Sequence, residues 1–274
     1  MNPMASDQAE SLRRLLAPRV TRRIAVVGAD SGAGTTTVAL GLANALAMQG
    51  ERVMLVDEDT FGARATRLSG AVPTATCADV LAGRAGLAAA IGTRAASGIA
   101  VLPAGAMAPG QRLDEAALQG QWADLRTVIV DARRDATGAL SPLAATAHNV
   151  VIVVRPEANS ITAAYACIKR LHHEYACRQF QLVVNLATAE GTVTALARNL
   201  ARTASQYLGV EASLAGHLPM DPLVARALQL GRCVVEAYPA AAATGALRHI
   251  ASRTGAWPLR HEAVPQGTAS AVPA

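Results

Sequence analysis

Short apolar runs alternate with longer amphipathic stretches along most of this chain. Ile24–Val27, Arg52–Val56, Gly98–Leu102, Thr127–Val130, Val150–Val154 and Gln181–Val184 read as buried strands. A shorter strand is predicted near 213–217. Helical spacing follows Gly34 through about Met48, and again over roughly 160–174, 191–207, 222–230 and 241–253. Residues 60–95 read as short helices, including Cys77–Ala82. Near-continuous apolar strands separated by helices predict an α/β fold: a mostly parallel, doubly wound sheet flanked by helices. Segments 1–23 and 255–274 stand outside this pattern, so the domain is expected to span 24–254. Residues 255–274, with prolines and small side chains, read as a disordered tail.

The first strand and helix are joined by the stretch that concentrates the chemistry, IAVVGADSGAGTTT over residues 24–37. Strand, glycine-rich turn, hydroxyls and helix form the layout of a phosphate-binding loop. Gly32, Ala33, Gly34, Thr35, Thr36 and Thr37 are the candidate phosphate contacts, with Thr36 also a candidate Mg²⁺ ligand. The strict pattern GxxxxGK[ST] is not met: Thr35 stands at the lysine position and Ala29 at the first glycine. The cradle is present and its cation is missing.

Carboxylates follow two strands at the end where open α/β sheets bind ligands. Asp57-Glu58-Asp59 follows the second strand, and Asp131 ends the Thr127–Val130 strand in the manner of a Walker B aspartate. Asp57 and Asp131 are therefore candidate metal ligands, and Arg133 and Arg134 just beyond are candidate substitute cations. The chain has one lysine, Lys169, so any cation reaching a phosphate is expected to be an arginine.

Composition narrows the class further. Hydrophobic residues make up 51% but aromatics only 3%, so the core is expected to be Ala, Leu and Val. The net charge of +5 comes from scattered arginines rather than a basic block, which argues against direct nucleic-acid binding. Cys77, Cys167, Cys177 and Cys233 show neither CxxC spacing nor disulfide density and read as buried thiols of a cytoplasmic protein. No apolar run reaches the length that spans a bilayer. At the N-terminus, Asp7 and Glu10 form a capping arrangement ahead of Leu12, Leu15 and Leu16. A helix of about ten residues is marginal alone, so it is expected to dock on its own domain or on a partner.

Three further stretches carry a family signature: DQAESLRRL from Asp7, RPEANSITAAYACIKRL from Arg155, and LPMDPLVARALQLGRCVVEAYPAAAATGALRHIA from Leu218. Together they resemble the FlhG (FleN) type of flagellar-number regulator within the MinD/ParA class of deviant P-loop ATPases, over about residues 7–253. The resemblance implies ATP or ADP with Mg²⁺ as cofactors and a homodimer formed with ATP. It implies Asp59 as the residue orienting the attacking water, Asn185 as an adenine contact, and Pro219 within a segment flanking the ring. By the same resemblance, Asp7, Gln8, Ala9, Leu12 and Arg13 belong to a motif that contacts an FlhF-type GTPase and stimulates its hydrolysis. Flagellar C-ring proteins or a flagellar transcription activator are further implied partners, and a C-terminal helix is implied to touch the inner face of the plasma membrane. Here the candidate helix 244–253 offers only Leu247, Ile250 and alanines, so packing on the domain is the expectation.

The family's loop reads GGKGGVGKTT. Asp30 here replaces its signature lysine, Ser31 a glycine and Thr35 the second lysine, while Ala132-Arg133-Arg134-Asp135 replaces the family's switch glycine segment. A charge-assisted hydrogen bond is worth about 1.5–3 kcal/mol, so losing one weakens phosphate binding about 10- to 150-fold. The expectation is therefore weakened nucleotide binding, with Asp30 adding unfavourable charge, and hydrolysis slow or absent. Two other readings share the residues: a non-hydrolysing scaffold, and an accessory of a cellulose or pilus secretion machine. DQAESLRRL argues against the last.

Overall fold

The computed structural model describes residues 21–93, 98–107, 113, 124–135 and 137–260. The first strand, β1 (Arg22–Gly28), leads through the glycine loop into α1 (Thr35–Met48). Next come β2 (Val53–Asp57) and three short helices, α2 (Arg64–Ser69), α3 (Cys77–Leu81) and α4 (Leu87–Ala90). Strands β3 (Gly92–Thr93), β4 (Ala100–Pro103) and β5 (Thr127–Ala132) precede the single-turn α5 (Pro142–Ala145). The second half runs β6 (Asn149–Val154), α6 (Ala158–Tyr175), β7 (Gln179–Ala187), α7 (Glu190–Leu208) and β8 (Glu211–Pro219). It closes with α8 (Pro222–Gln229), α9 (Val234–Ala237), α10 (Ala242–Arg253) and a 3₁₀ turn at Thr254–Ala256.

The eight strands form one sheet in the order β3-β4-β2-β5-β1-β6-β7-β8. All neighbours are parallel except the β3–β4 pair. Both faces are covered, which is why the strands read as unbroken apolar runs. In β1, Ile24 and Val26 point to the layer holding α1 and α10, while Ala25 and Val27 point to the layer holding α6 and α7.

Two glycines set how closely α10 can lie. A Cβ at Gly41 of α1 would sit 2.6 Å from Leu247 Cδ1, and one at Gly216 of β8 would sit 2.6 Å from Ile250 Cγ1. Leu247 and Ile250 are accordingly buried, so the apolar stripe of α10 is used inside the domain. Among the described residues no helix is long and apolar enough to cross a membrane. All four cysteines are buried.

The structure differs from the sequence pattern chiefly at boundaries. β1 begins at Arg22, inside the segment expected to be an appendage, because Arg22 N–H bonds the Arg126 carbonyl. β8 extends to Pro219, so the expected 218–222 turn is reduced to Met220 and Asp221, and Asp221 caps α8. Residues 255–260, expected to belong to the tail, are packed. Trp257 is buried, the Pro258 carbonyl accepts from Asn149, and Arg260 Nη1 reaches the Ala145 carbonyl at 2.8 Å. The remaining tail from 261 and the predicted helix over 7–16 lie outside the described residues.

Candidate functional site

A cleft of about 440 Å³ opens where β1, β2 and β5 end. Its floor is the β1–α1 loop, and its walls are Asp59, Arg64 and the segment Asp131–Arg134. The loop turns into α1 through Gly34, whose φ of 87° suits a residue without a Cβ. A Cβ there would also lie 2.1 Å from Asn185 Nδ2. No side chain caps α1, so the N–H groups of its first turn have no partner from a capping residue.

The hydroxyls divide between two tasks. Thr36 sets its hydroxyl beside the Asp131 carboxylate. Thr35 packs back on the loop: a Cβ on Gly28 would meet its Oγ1 at 2.3 Å. Asp131 is pushed up to about 7, first by burial and then by the neighbouring carboxylates, with the Thr36 hydroxyl working the other way. A buried carboxylate beside a hydroxyl is an oxygen donor set that a hard cation can occupy, displacing any proton, while keeping its own waters. The site thus fits Mg²⁺ through Thr36 and Asp131, and its glycine-lined backbone fits a phosphate chain.

The remaining candidates divide clearly. Asp59 lines the cleft and accepts from Arg133 Nη1 at 2.6 Å. Asp57 does not line it: both oxygens are taken, by Thr66 N–H at 2.7 Å and Thr66 Oγ1 at 2.8 Å on one side and Asp59 N–H at 3.0 Å on the other. It therefore ties β2 to α2. Asn185 is buried beneath the loop, donating to the Ala33 carbonyl at 2.9 Å and accepting from Leu186 N–H at 2.9 Å. Pro219 ends β8 opposite Ala187 and lies apart from the cleft walls. Asp7, Gln8, Ala9, Leu12 and Arg13 lie outside the described residues.

One expectation is corrected by geometry. Asp30 does not stand as an uncompensated charge at the loop. Arg155 Nη2 pairs with its Oδ2 at 2.9 Å, and Ser160 Oγ donates to its Oδ1 at 3.2 Å. Both partners come from the β6–α6 junction, which the sequence places far from residue 30.

Glu58 is a residue that the sequence reading passed over. It is 6% exposed, accepts from Ser141 Oγ and from Arg133 N–H at 3.1 Å, and is pushed up to about 7 mainly by burial. It joins the end of β2 to the segment after β5. The signal available was its place between two carboxylates, which turns it away from theirs.

Fold and cleft together define a P-loop NTPase. The chain belongs to the ParA family, whose profile, described as the NUBPL iron-transfer P-loop NTPase, matches residues 19–254. Within that family it is similar to the antiactivator FleN of Pseudomonas aeruginosa, 32% identical over 244 residues, covering 86% of this chain and 87% of that protein. An ATP-binding protein of Methanocaldococcus jannaschii is 29% identical over 240 residues, covering 84% of this chain and 86% of that one. Among solved structures, the MinD cell division protein of Aquifex aeolicus superposes with a TM-score of 0.68 at 22% identity, covering 88% of this chain and 100% of that one. MinD of Pyrococcus horikoshii, complexed with Mg-ADP, gives 0.65 at 22% identity, covering 85% and 96%. The chain is a FleN/FlhG-like member of the ParA family with the fold of MinD.

Proposed function

We propose that this protein regulates flagellar number and placement as a FleN/FlhG-like switch whose cleft takes Mg-ATP or Mg-ADP. The observation that carries the reading is the likeness to FleN over 86% of the chain, and the family match over residues 19–254 includes the whole cleft. In this reading the loop from Gly32 to Thr37 binds the phosphate chain through backbone N–H groups. Thr36 and Asp131 hold Mg²⁺, which when bound offsets phosphate charge. Asp57 supports that site from behind by fixing α2 against β2. Asp59 orients the attacking water once Arg133 releases it, and Asn185 and Pro219 lie toward the base.

Thr35 supplies a hydroxyl where a lysine would donate charge, so binding is weakened and hydrolysis is slow or absent. A non-hydrolysing scaffold that binds nucleotide weakly or not at all is the second reading, and Thr35 is the residue that favours it. The partner is an FlhF-type GTPase, contacted through Asp7–Leu16, with C-ring proteins or a flagellar activator as further partners. Nucleotide promotes a homodimer, and the protein works in the cytoplasm or at the inner face of the plasma membrane.

Calorimetry with Mg-ATP and Mg-ADP, with light scattering on the same samples, tests the switch: binding with a shift to dimer is expected. Deleting residues 1–20 should abolish stimulation of an FlhF-type GTPase while leaving nucleotide binding intact. Stimulation that survives the deletion removes the N-terminal assignment.

A further inference from the structure

The cleft has lost its lysines, yet it is not short of positive charge. We infer that Arg134 supplies the cation that the phosphate-binding loop lacks, reaching it from the end of β5 rather than from within the loop. This rests on the nucleotide reading above.

The inference follows from where each cation of the cleft sits and what it touches. Asp30 is neutralised by Arg155 at 2.9 Å. Arg133 is spent on Asp59 at 2.6 Å, and its exposed guanidinium lies 5.9 Å from the Phe61 ring centre, facing outward. Arg64 lines the cleft as an exposed side chain at the start of α2, and Lys169 is exposed on α6 and does not line the cleft. Arg134 differs from all of these. Its Nη2 donates to the carbonyls of Gly28 and Ala29, both at 3.1 Å. Gly28 ends β1 and Ala29 opens the loop, so the guanidinium rests directly against the cradle.

Two neutral carbonyls hold an arginine in place without cancelling its charge, as a carboxylate would. The group is also half-buried, where a charge acts through a lower effective dielectric than in open solvent. A planar guanidinium with several donors can keep those carbonyls and still offer N–H groups to a phosphate. Arg134 therefore serves as a binding residue for the polyphosphate, and Arg133 as the partner of Asp59.

The test is Mg-ATP calorimetry on the full chain with four substitutions. Arg134→Gln keeps a neutral amide donor but removes the charge. It should weaken binding about 10- to 150-fold, the range for losing one charge-assisted bond. Arg134→Lys, which retains charge, should stay within about tenfold of the parent. Arg133→Gln should lose less than Arg134→Gln, and Lys169→Gln, which removes a charge away from the cleft, should match the parent. Melting curves establish that each variant is folded, and Arg134→Lys carries the comparison if Arg134→Gln is not. In that event, Arg134→Lys binding more weakly than Arg133→Gln would overturn the assignment. It is likewise overturned if Arg134→Gln binds like the parent, if Arg134→Lys is as weak as Arg134→Gln, or if Arg133→Gln loses more. In those cases parent binding still stands, and so does the nucleotide reading. A parent that binds no Mg-ATP at millimolar concentration brings down both.

Discussion

The Arg155 guanidinium closes on the Asp30 carboxylate, Nη2 to Oδ2 at 2.9 Å, across 125 residues of chain. The pair stands at the mouth of the glycine loop, with each side chain about one-fifth exposed, at 23% and 21%. Its consequence is electrostatic: an acidic residue sits in a phosphate-binding loop without repelling phosphate. Arg155→Ala should unmask Asp30 and weaken Mg-ATP binding on the order of tenfold, while Asp30→Asn in the same background should restore it. Calorimetry on the two variants checks this, and a double variant as weak as Arg155→Ala would mean that Arg155 acts on its own account.

Asn185 holds the loop from below through the Ala33 carbonyl. Asn185→Ala strands that buried carbonyl and the Leu186 N–H, and should cost about 1–3 kcal/mol of stability without any ligand present. Urea denaturation of the nucleotide-free protein measures it. An unchanged midpoint would restrict Asn185 to ligand contact.

Leu247 is fully buried where α10 lies on Gly41 of α1. Leu247→Ala leaves a cavity there, and the expected loss is about 2–5 kcal/mol. Gly41→Ala fails for the opposite reason, since its Cβ would meet Leu247 at 2.6 Å. The two together should recover part of either loss, because the smaller side chain makes room for the methyl. Thermal unfolding of the three variants reads out this coupling.

Asp79 completes the capping box that Thr76 opens on α3 and is held well below the usual carboxylate range, at about 2. The Thr76 hydroxyl is the largest cause, followed by Arg84 and the Thr76 N–H. A value lower in the folded than in the unfolded chain stabilises above the unfolded pKa, near about 4, and is lost as pH falls toward about 2. Asp79→Ala should therefore lower the urea midpoint at neutral pH, with the gap from the parent narrowing through that acid window. A gap that stays constant down to pH ~2 would show that ionisation of Asp79 contributes nothing.

The strand–loop–helix of residues 22–48, the carboxylates after β2 and β5, and the alternation of elements could all be read from the chain, because each is local. Period, glycine placement and apolar run length specify them within a dozen residues. Boundaries were less legible: β1 gains Arg22 and Arg23 from pairing with β5, and β8 gains Pro219 from pairing with β7. The two-residue β3 exists only as an antiparallel addition to β4 and carries no pattern of its own.

Within the cleft, sequence alone determined which chemical groups are available: glycines, three threonines, the carboxylates, and arginines in place of lysines. It also determined, through residue order, that Thr36 and Asp131 lie at the same end of the sheet. What only tertiary structure decided is how those charges are paired. Arg155 goes to Asp30, Arg133 to Asp59, and Arg134 to the carbonyls of Gly28 and Ala29. Asp57 goes to Thr66, Asn185 to the Ala33 carbonyl, and Glu58 to Ser141. The reason is that a hydrogen bond or ion pair depends on approach within about 3 Å, set by sheet register and loop packing. Residue type and spacing leave that distance open whenever the partners lie on different strands.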